Sequence, residues 1–145
     1  MKLPDILSFK HADAELFEAV KKIRNEVFII EQQVREEEEF DEFENSSIHY
    51  LLSINKTPIG TARWRHVGDW IKLERFAVLK DFRGEKNGDF LLKSVLDDVL
   101  KENKPLYLHA QLKAIPFYER RGFRKVGELF WECEIAHYKM TMNDH

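Results

Sequence analysis

Apolar positions along this chain hold one period for a stretch and then change it, and each change marks an element. Leu16, Val20, Ile23 and Val27 recur at helical spacing behind Asp13, which predicts a first helix running to about Phe28 with Asp13 as its N-cap. Residues 48 to 54 and 59 to 65 read as two strands joined by the turn Asn55-Lys56-Thr57-Pro58, and Val67-Gly68-Asp69 turns the chain into a third strand, residues 70 to 78. Leu91, Leu92, Val95, Leu96, Val99 and Leu100 then form a helical stripe. Pro105 opens a short strand over residues 106 to 110, and residues 114 to 121 predict a short helix stopped by Gly122. Residues 123 to 126 and 137 to 142 close the chain as two strands, and residues 7 to 9 supply a short first one.

Helices set between strands, with a meander and a closing hairpin, predict an α/β (α+β) sandwich around one mixed central sheet. The chain has 145 residues, which suits a single domain spanning 1–145. Hydrophobic residues make up 43% and include 11 Phe and 3 Trp, so a packed core is expected rather than disorder. No apolar run reaches the ~20 residues that span a bilayer, and the N-terminus has no signal-peptide pattern. With one cysteine, Cys133, there is no internal disulfide to form, and a cytoplasmic protein is the expectation.

Net charge is −3 without a basic stripe, which argues against nucleic acid as a partner, as the lack of an apolar span argues against a membrane. Charge is nonetheless segregated. Residues 31 to 44 hold eight acidic side chains and one Arg, net −7, leaving +4 for the remainder. Such a run reads either as a solvated loop or frayed helix, or as an acidic lip that draws in a cationic amine. Phe40 and Phe43 interleave with the carboxylates, so part of the segment is expected to pack.

Between the third meander strand and the long helix lies Phe82-Arg83-Gly84-Glu85-Lys86-Asn87-Gly88, followed by Asp89. A loop that ends at a helix N-terminus gathers unpaired N–H groups and the positive end of the helix dipole, and both favour a phosphate. An ordinary strand-to-helix turn without ligand has the same outline, and neither GxGxxG nor GxxxxGK[ST] is present.

This loop resembles the acetyl-CoA loop of the GNAT superfamily of N-acetyltransferases, Arg/Gln-x-x-Gly-x-Gly/Ala, with Arg83 and Gly88 at its ends. Lys86 stands where the middle glycine is expected and Asn87 replaces the usual apolar residue. Lys86 either costs backbone approach or adds a point charge for the CoA phosphates. The stretch from His109 to Phe123 resembles a second GNAT signature, Asn-x-x-Ala-x-x-Leu-Tyr-Glu-x-x-Gly-Phe: Gln111 takes the Asn position, and Ala114, Tyr118, Gly122 and Phe123 match in register. Residues 24 to 32, 74 to 78, 109 to 111 and 135 to 140 are similar to the ElaA-like branch of that superfamily.

The resemblance implies a central sheet of about seven strands flanked by about four helices, with the fourth and fifth strands splayed where CoA enters. It implies acetyl-CoA as co-substrate, its pyrophosphate on residues 83 to 89 and its pantetheine arm along Phe76, Ala77 and Val78. Further contacts are implied from Gln111, Ala114, Phe117 and Tyr118. A main-chain N–H near Ala77 or Val78 would polarise the thioester carbonyl, and Tyr118 would protonate the departing thiolate. Tyr118 otherwise simply packs the short helix.

The amine's proton needs an acceptor, and Glu74, His109, Glu31 and His137 are candidates. Glu74 equally suits a strand carboxylate paired with Arg63 or Arg75, and His109 a hydrogen-bonded core histidine. The six histidines show no metal spacing, so no metal is expected. The leading expectation is an N-acetyltransferase acting on a small amine or amino terminus by direct transfer. A non-catalytic CoA-binding module and a protein-interaction domain of the same fold are the alternatives, and exposed Trp131 leaves a homodimer open.

Overall fold

A computed structural model describes residues 4–142. Seven strands in that range form one sheet in the order β1-β2-β3-β4-β5-β7-β6. They are β1 (Pro4–Lys10), β2 (Ile48–Ile54), β3 (Thr57–Val67), β4 (Trp70–Val78), β5 (Leu106–Gln111), β6 (Arg124–Glu132) and β7 (Ile135–Met142). The helices are α1 (Ala14–Arg24), α2 (Glu36–Glu39), α3 (Asn87–Val99) and α4 (Ile115–Glu119). The expected mixed sheet of seven strands with four helices is the observed one.

Asp13 caps α1 as the sequence predicts, its Oδ1 accepting from the Leu16 N–H at 3.2 Å. Beyond Arg24 the helix widens, and residues 25–31 form π-helical turns that close with the Gln32 N–H donating to the Val27 carbonyl at 3.2 Å. Helices cover both faces of the sheet. Leu91, Leu92, Val95 and Val99 of α3 pack against Leu52, Ile71, Leu73, Leu106 and Leu108 on one face. Phe17, Val20, Ile23 and Val27 pack with Leu51 and Ala77 on the other. Alternation along β2, with Leu51 on one side and Leu52 on the other, builds both cores from a single strand.

β4 and β5 run parallel, but their pairing covers only Ile71↔Leu106, Lys72↔Tyr107 and Leu73↔Leu108. Beyond Leu73 the two strands separate. β4 also carries a bulge against β3 between Thr61 and Arg63, with Arg75 at φ 59. A bulge adds twist and bends its strand, turning the second half of β4 away from β5. The result is a wedge in the middle of the sheet.

Two predicted elements need correction. The strand placed at 123 to 126 is Arg124–Glu132, and its partner begins at Ile135. The turn between them is Cys133-Glu134, both at positive φ (50 and 64). That geometry usually selects Asn or Gly, so the sequence carried no turn signal there. β3 likewise starts at Thr57, earlier than expected, because the hairpin turn is just Asn55-Lys56 at φ 52 and 66.

Candidate active site

A cleft of about 510 Å³ opens at the wedge. Glu74, Arg75 and Phe76 from β4 form one wall, and His109, Ala110 and Gln111 from β5 the other. Ala114 and Tyr118 lie beneath, Glu132, Cys133 and His137 close one side, and Glu38, Glu39 and Asp41 of the acidic segment close another. The predicted loop, residues 83 to 89, does not line this cleft. Contact between them runs through α4: a Cβ on Gly88 would stand 3.5 Å from the Phe117 ring, and Phe117 packs edge-on to Tyr118 at 5.1 Å.

In the loop, Gly84 takes φ 79 and Lys86 φ 66. Lys86 therefore adopts the left-handed conformation that a glycine would supply, and the main chain still delivers α3's N-terminus. Asn87 is buried and donates from Nδ2 to the Phe82 carbonyl at 2.9 Å, pinning the loop from inside. Arg83 does not lie free over the loop. Its Nε donates to the Val78 carbonyl at 2.8 Å, and its two Nη groups hold Glu31 at 2.8 and 2.9 Å. This hydrogen bond holds Glu31 below the usual carboxylate range. Beside it, the Gln111 amide donates to Gln32 Oε1 at 2.9 Å. Glu31 and Gln32, where the π-helical turns end, thus reach Arg83 beyond β4 and Gln111 on β5.

Tyr118 is buried at the base of the cleft among Phe76, Phe117 and Phe123. Burial pushes its phenol up, so it stays protonated throughout the neutral range. Glu74 shows the ion-pair reading weighed for it. Arg63 and Arg65 approach its Oε2 at 2.7 and 2.9 Å, and Lys72 its Oε1 at 3.0 Å. Burial alone would raise its pKa, but Arg63, Lys72 and Arg65 outweigh that and hold it down at about 2. A carboxylate so stabilised is a poor proton acceptor.

His109 has a partner that the sequence did not reveal. Its Nδ1 lies 3.2 Å from Glu132 Oε2, and His137 Nε2 lies 3.9 Å from the other Glu132 oxygen. His137 Nδ1 donates to the Ile135 carbonyl at 2.7 Å, which fixes its neutral tautomer with Nε2 toward the cleft. Glu132 and Cys133 line the cleft without having been singled out for it from the sequence, because they stand at the unsignalled Cys133-Glu134 turn. Cys133 donates from Sγ to Glu38 at 3.1 Å; burial and that bond push its thiol up to about 11.

The acidic run is not an open lip. Arg24, fully buried, binds Glu39 and Glu44 at 2.8 Å each, and Arg63 binds Asp41 and Glu44 at 2.8 and 2.9 Å. Arg75 bridges Glu39 and Asp41 at 3.1 and 3.2 Å. Phe40 lies 4.8 Å under the Arg24 guanidinium and Phe43 3.7 Å under that of Arg65, so both aromatics pack as expected. Counting through Glu74, the network joins five cations, Arg24, Arg63, Arg65, Lys72 and Arg75, to four carboxylates, Glu39, Asp41, Glu44 and Glu74. The expectation of an acidic lip fails here because these carboxylates are spent on arginines beneath them.

Residues 12–143 match the family model of the acetyltransferase (GNAT) domain. The chain belongs to the GNAT acetyltransferase family. Among GNAT relatives, the uncharacterized N-acetyltransferase YjcF of Bacillus subtilis (strain 168) is 38% identical over 121 residues, covering 81% of this chain and 86% of YjcF. Protein ElaA of Escherichia coli (strain K12) is 30% identical over 129 residues, 85% of this chain and 84% of ElaA. The crystal structure of Escherichia coli ElaA superposes with a TM-score of 0.87 at 26% identity, covering 94% and 98% of the two chains. The ElaA likeness agrees with the branch that the sequence suggests. No helix among the described residues is long and apolar enough to cross a membrane.

Proposed function

We propose that this chain transfers an acetyl group from acetyl-CoA to a primary amine by direct attack, without a covalent enzyme intermediate. The observation that carries the reading is the wedge beyond Leu73, with protonated Tyr118 buried at its base. On the β5-facing side, β4 from Glu74 to Val78 has no strand partner among the described residues, so its main chain is open to the amides of a pantetheine arm. A β4 N–H there would polarise the thioester carbonyl as the amine attacks. The loop from Arg83 to Asp89 offers its α3 N-terminal donors to the pyrophosphate, across Phe117 from the cleft.

The amine approaches from the cleft. His109, oriented by Glu132, takes its proton, while Tyr118 donates to the departing thiolate. Glu74 holds Arg65 and Lys72 in place rather than accepting the proton. Cys133, kept as a thiol with its pKa near 11, is unsuited to carry the acetyl group, which favours one-step transfer.

The test is calorimetric titration of wild type and Gly88→Trp with acetyl-CoA, followed by thiol release over an amine panel. An indole at Gly88 would displace Phe117 and block the loop, so binding should be lost while the thermal transition persists. No binding by folded wild type would overturn the reading. Binding without release from any amine would leave a CoA-binding module.

A further inference from the structure

We infer that the acceptor amine also carries a carboxylate, which Arg65 and Lys72 receive; this rests on the acetyl-transfer reading above. The acidic segment suggested a cationic acceptor, but the cleft carries charge of both signs, and two of its cations, Arg65 and Lys72, stand side by side on neighbouring strands. Arg65 and Lys72 both line it, each with a side chain 14% exposed, and both lean on the single carboxylate of Glu74, which Arg63 also uses. The ionic network therefore ends at the cleft with one cation in excess, in surroundings where water screens poorly.

Arg65 is held ready for an anion. Its Nε is committed to Glu74 and its plane to the face of Phe43, 3.7 Å away. Its two Nη groups have no hydrogen-bond partner among the described residues, and a guanidinium edge with two free donors matches a carboxylate in bidentate fashion. Lys72, facing Arg65 across β3 and β4 in register, adds donors beyond the one used by Glu74.

Opposite signs stand on the facing wall. Glu132 there is 45% exposed and pairs with His109, while Glu38 is turned to Arg35 and Cys133. Of the remaining cleft carboxylates, Glu39 and Asp41 are taken up by Arg24, Arg63 and Arg75. An acceptor can thus lay its carboxylate on Arg65 and Lys72 and its ammonium beside Glu132, where His109 removes the proton. Lys72 and Phe76 lie four residues apart on β4, at most about 13 Å and less because the bulge at Arg75 shortens the path, and the cationic side chains take up part of that span. A short spacer between carboxylate and amine fits.

The test uses ω-amino carboxylic acids of increasing length, each beside its primary amide and its decarboxylated alkylamine. Thiol release from acetyl-CoA is measured for each, and binding of the N-acetylated acid and N-acetylated amide is measured by calorimetry with and without CoA. The acid should exceed its amide at least tenfold in kcat/KM, and the N-acetylated acid should bind at least tenfold tighter than its amide. Arg65→Gln and Lys72→Gln should each collapse these ratios below about threefold, with Arg65→Lys keeping part of them; thermal melts check that each variant is folded. Equal behaviour of acid and amide in the binding arm, or ratios unchanged in both Gln variants, would overturn the inference. Absence of thiol release from every amine would count against acetyl transfer alone, since the binding arm reads the carboxylate site directly.

Discussion

Lys86 bears a strain that its family's usual glycine would not. A left-handed conformation costs a residue with a Cβ about 1–2 kcal/mol, partly offset because glycine loses more chain entropy on folding. Lys86→Gly should therefore raise the unfolding free energy by about 0.5–1 kcal/mol in urea titrations and leave acetyl-CoA affinity unchanged or improved. Tyr118 makes the opposite kind of prediction. Its phenol is buried among Phe76, Phe117 and Phe123, so Tyr118→Phe keeps the packing and removes only the proton donor. Turnover should fall about 100-fold while the Kd for acetyl-CoA stays within about twofold; an unaltered kcat would remove Tyr118 from the chemistry. At this scale the second motif pointed to residues that line the cleft, Gln111, Ala114 and Tyr118, whereas Ala77, Val78, Phe117 and the loop from Arg83 to Asp89 stand outside its lining. The sequence was silent on Glu132 and Cys133, whose placement depends on a turn of two residues that seldom adopt positive φ.

Among the elements, the segment from Glu31 to Glu44 departs most from its sequence appearance. In one dimension its carboxylates repel one another and ask for water. In three dimensions Arg24, from α1, and Arg63, from β3, lie beneath them, and neither is close in sequence. Long-range pairing of that kind leaves no local pattern to read. Removing one member should be costly: Arg24→Ala takes the closest cation from both Glu39 and Glu44, leaving them to Arg75 and Arg63 alone, and should destabilise the protein by about 3 kcal/mol, measured by chemical unfolding. A loss below about 1 kcal/mol would mean that Arg63 and Arg75 suffice to compensate these carboxylates. The greater part of β6, beyond Val126, escaped notice for the converse reason. As the edge strand it is exposed along almost its whole length, so no alternation betrays it, whereas β2, β3 and β4 announced themselves by feeding the cores.

For the whole molecule, the shared ionic network sets the response to acid. Glu74 titrates near 2 when folded, against an ordinary 4.5, so the unfolded chain binds its proton first. Its contribution is fully present above about pH 5 and is lost as pH falls through 2, a total of about 3 kcal/mol. Asp41 and Glu44, also lowered despite burial, act in the same sense; Glu39, raised by burial, opposes them. Urea midpoints should drop steadily from pH 5 to pH 2.5, and Glu74→Gln should flatten that slope.

The sheet's two halves meet through three paired positions of β4 and β5, and nothing in the strand ladder continues the seam beyond Leu73. Peptide hydrogens of residues 74–78 and 109–111 that face the gap are then exposed to deuterium in the free protein, although they sit at the centre of the fold. Their exchange should be far faster than that of the neighbouring β2–β3 ladder, and it should slow when a pantetheine arm fills the seam. The wedge would in this way report its own occupancy, peptide by peptide, without any acceptor being known.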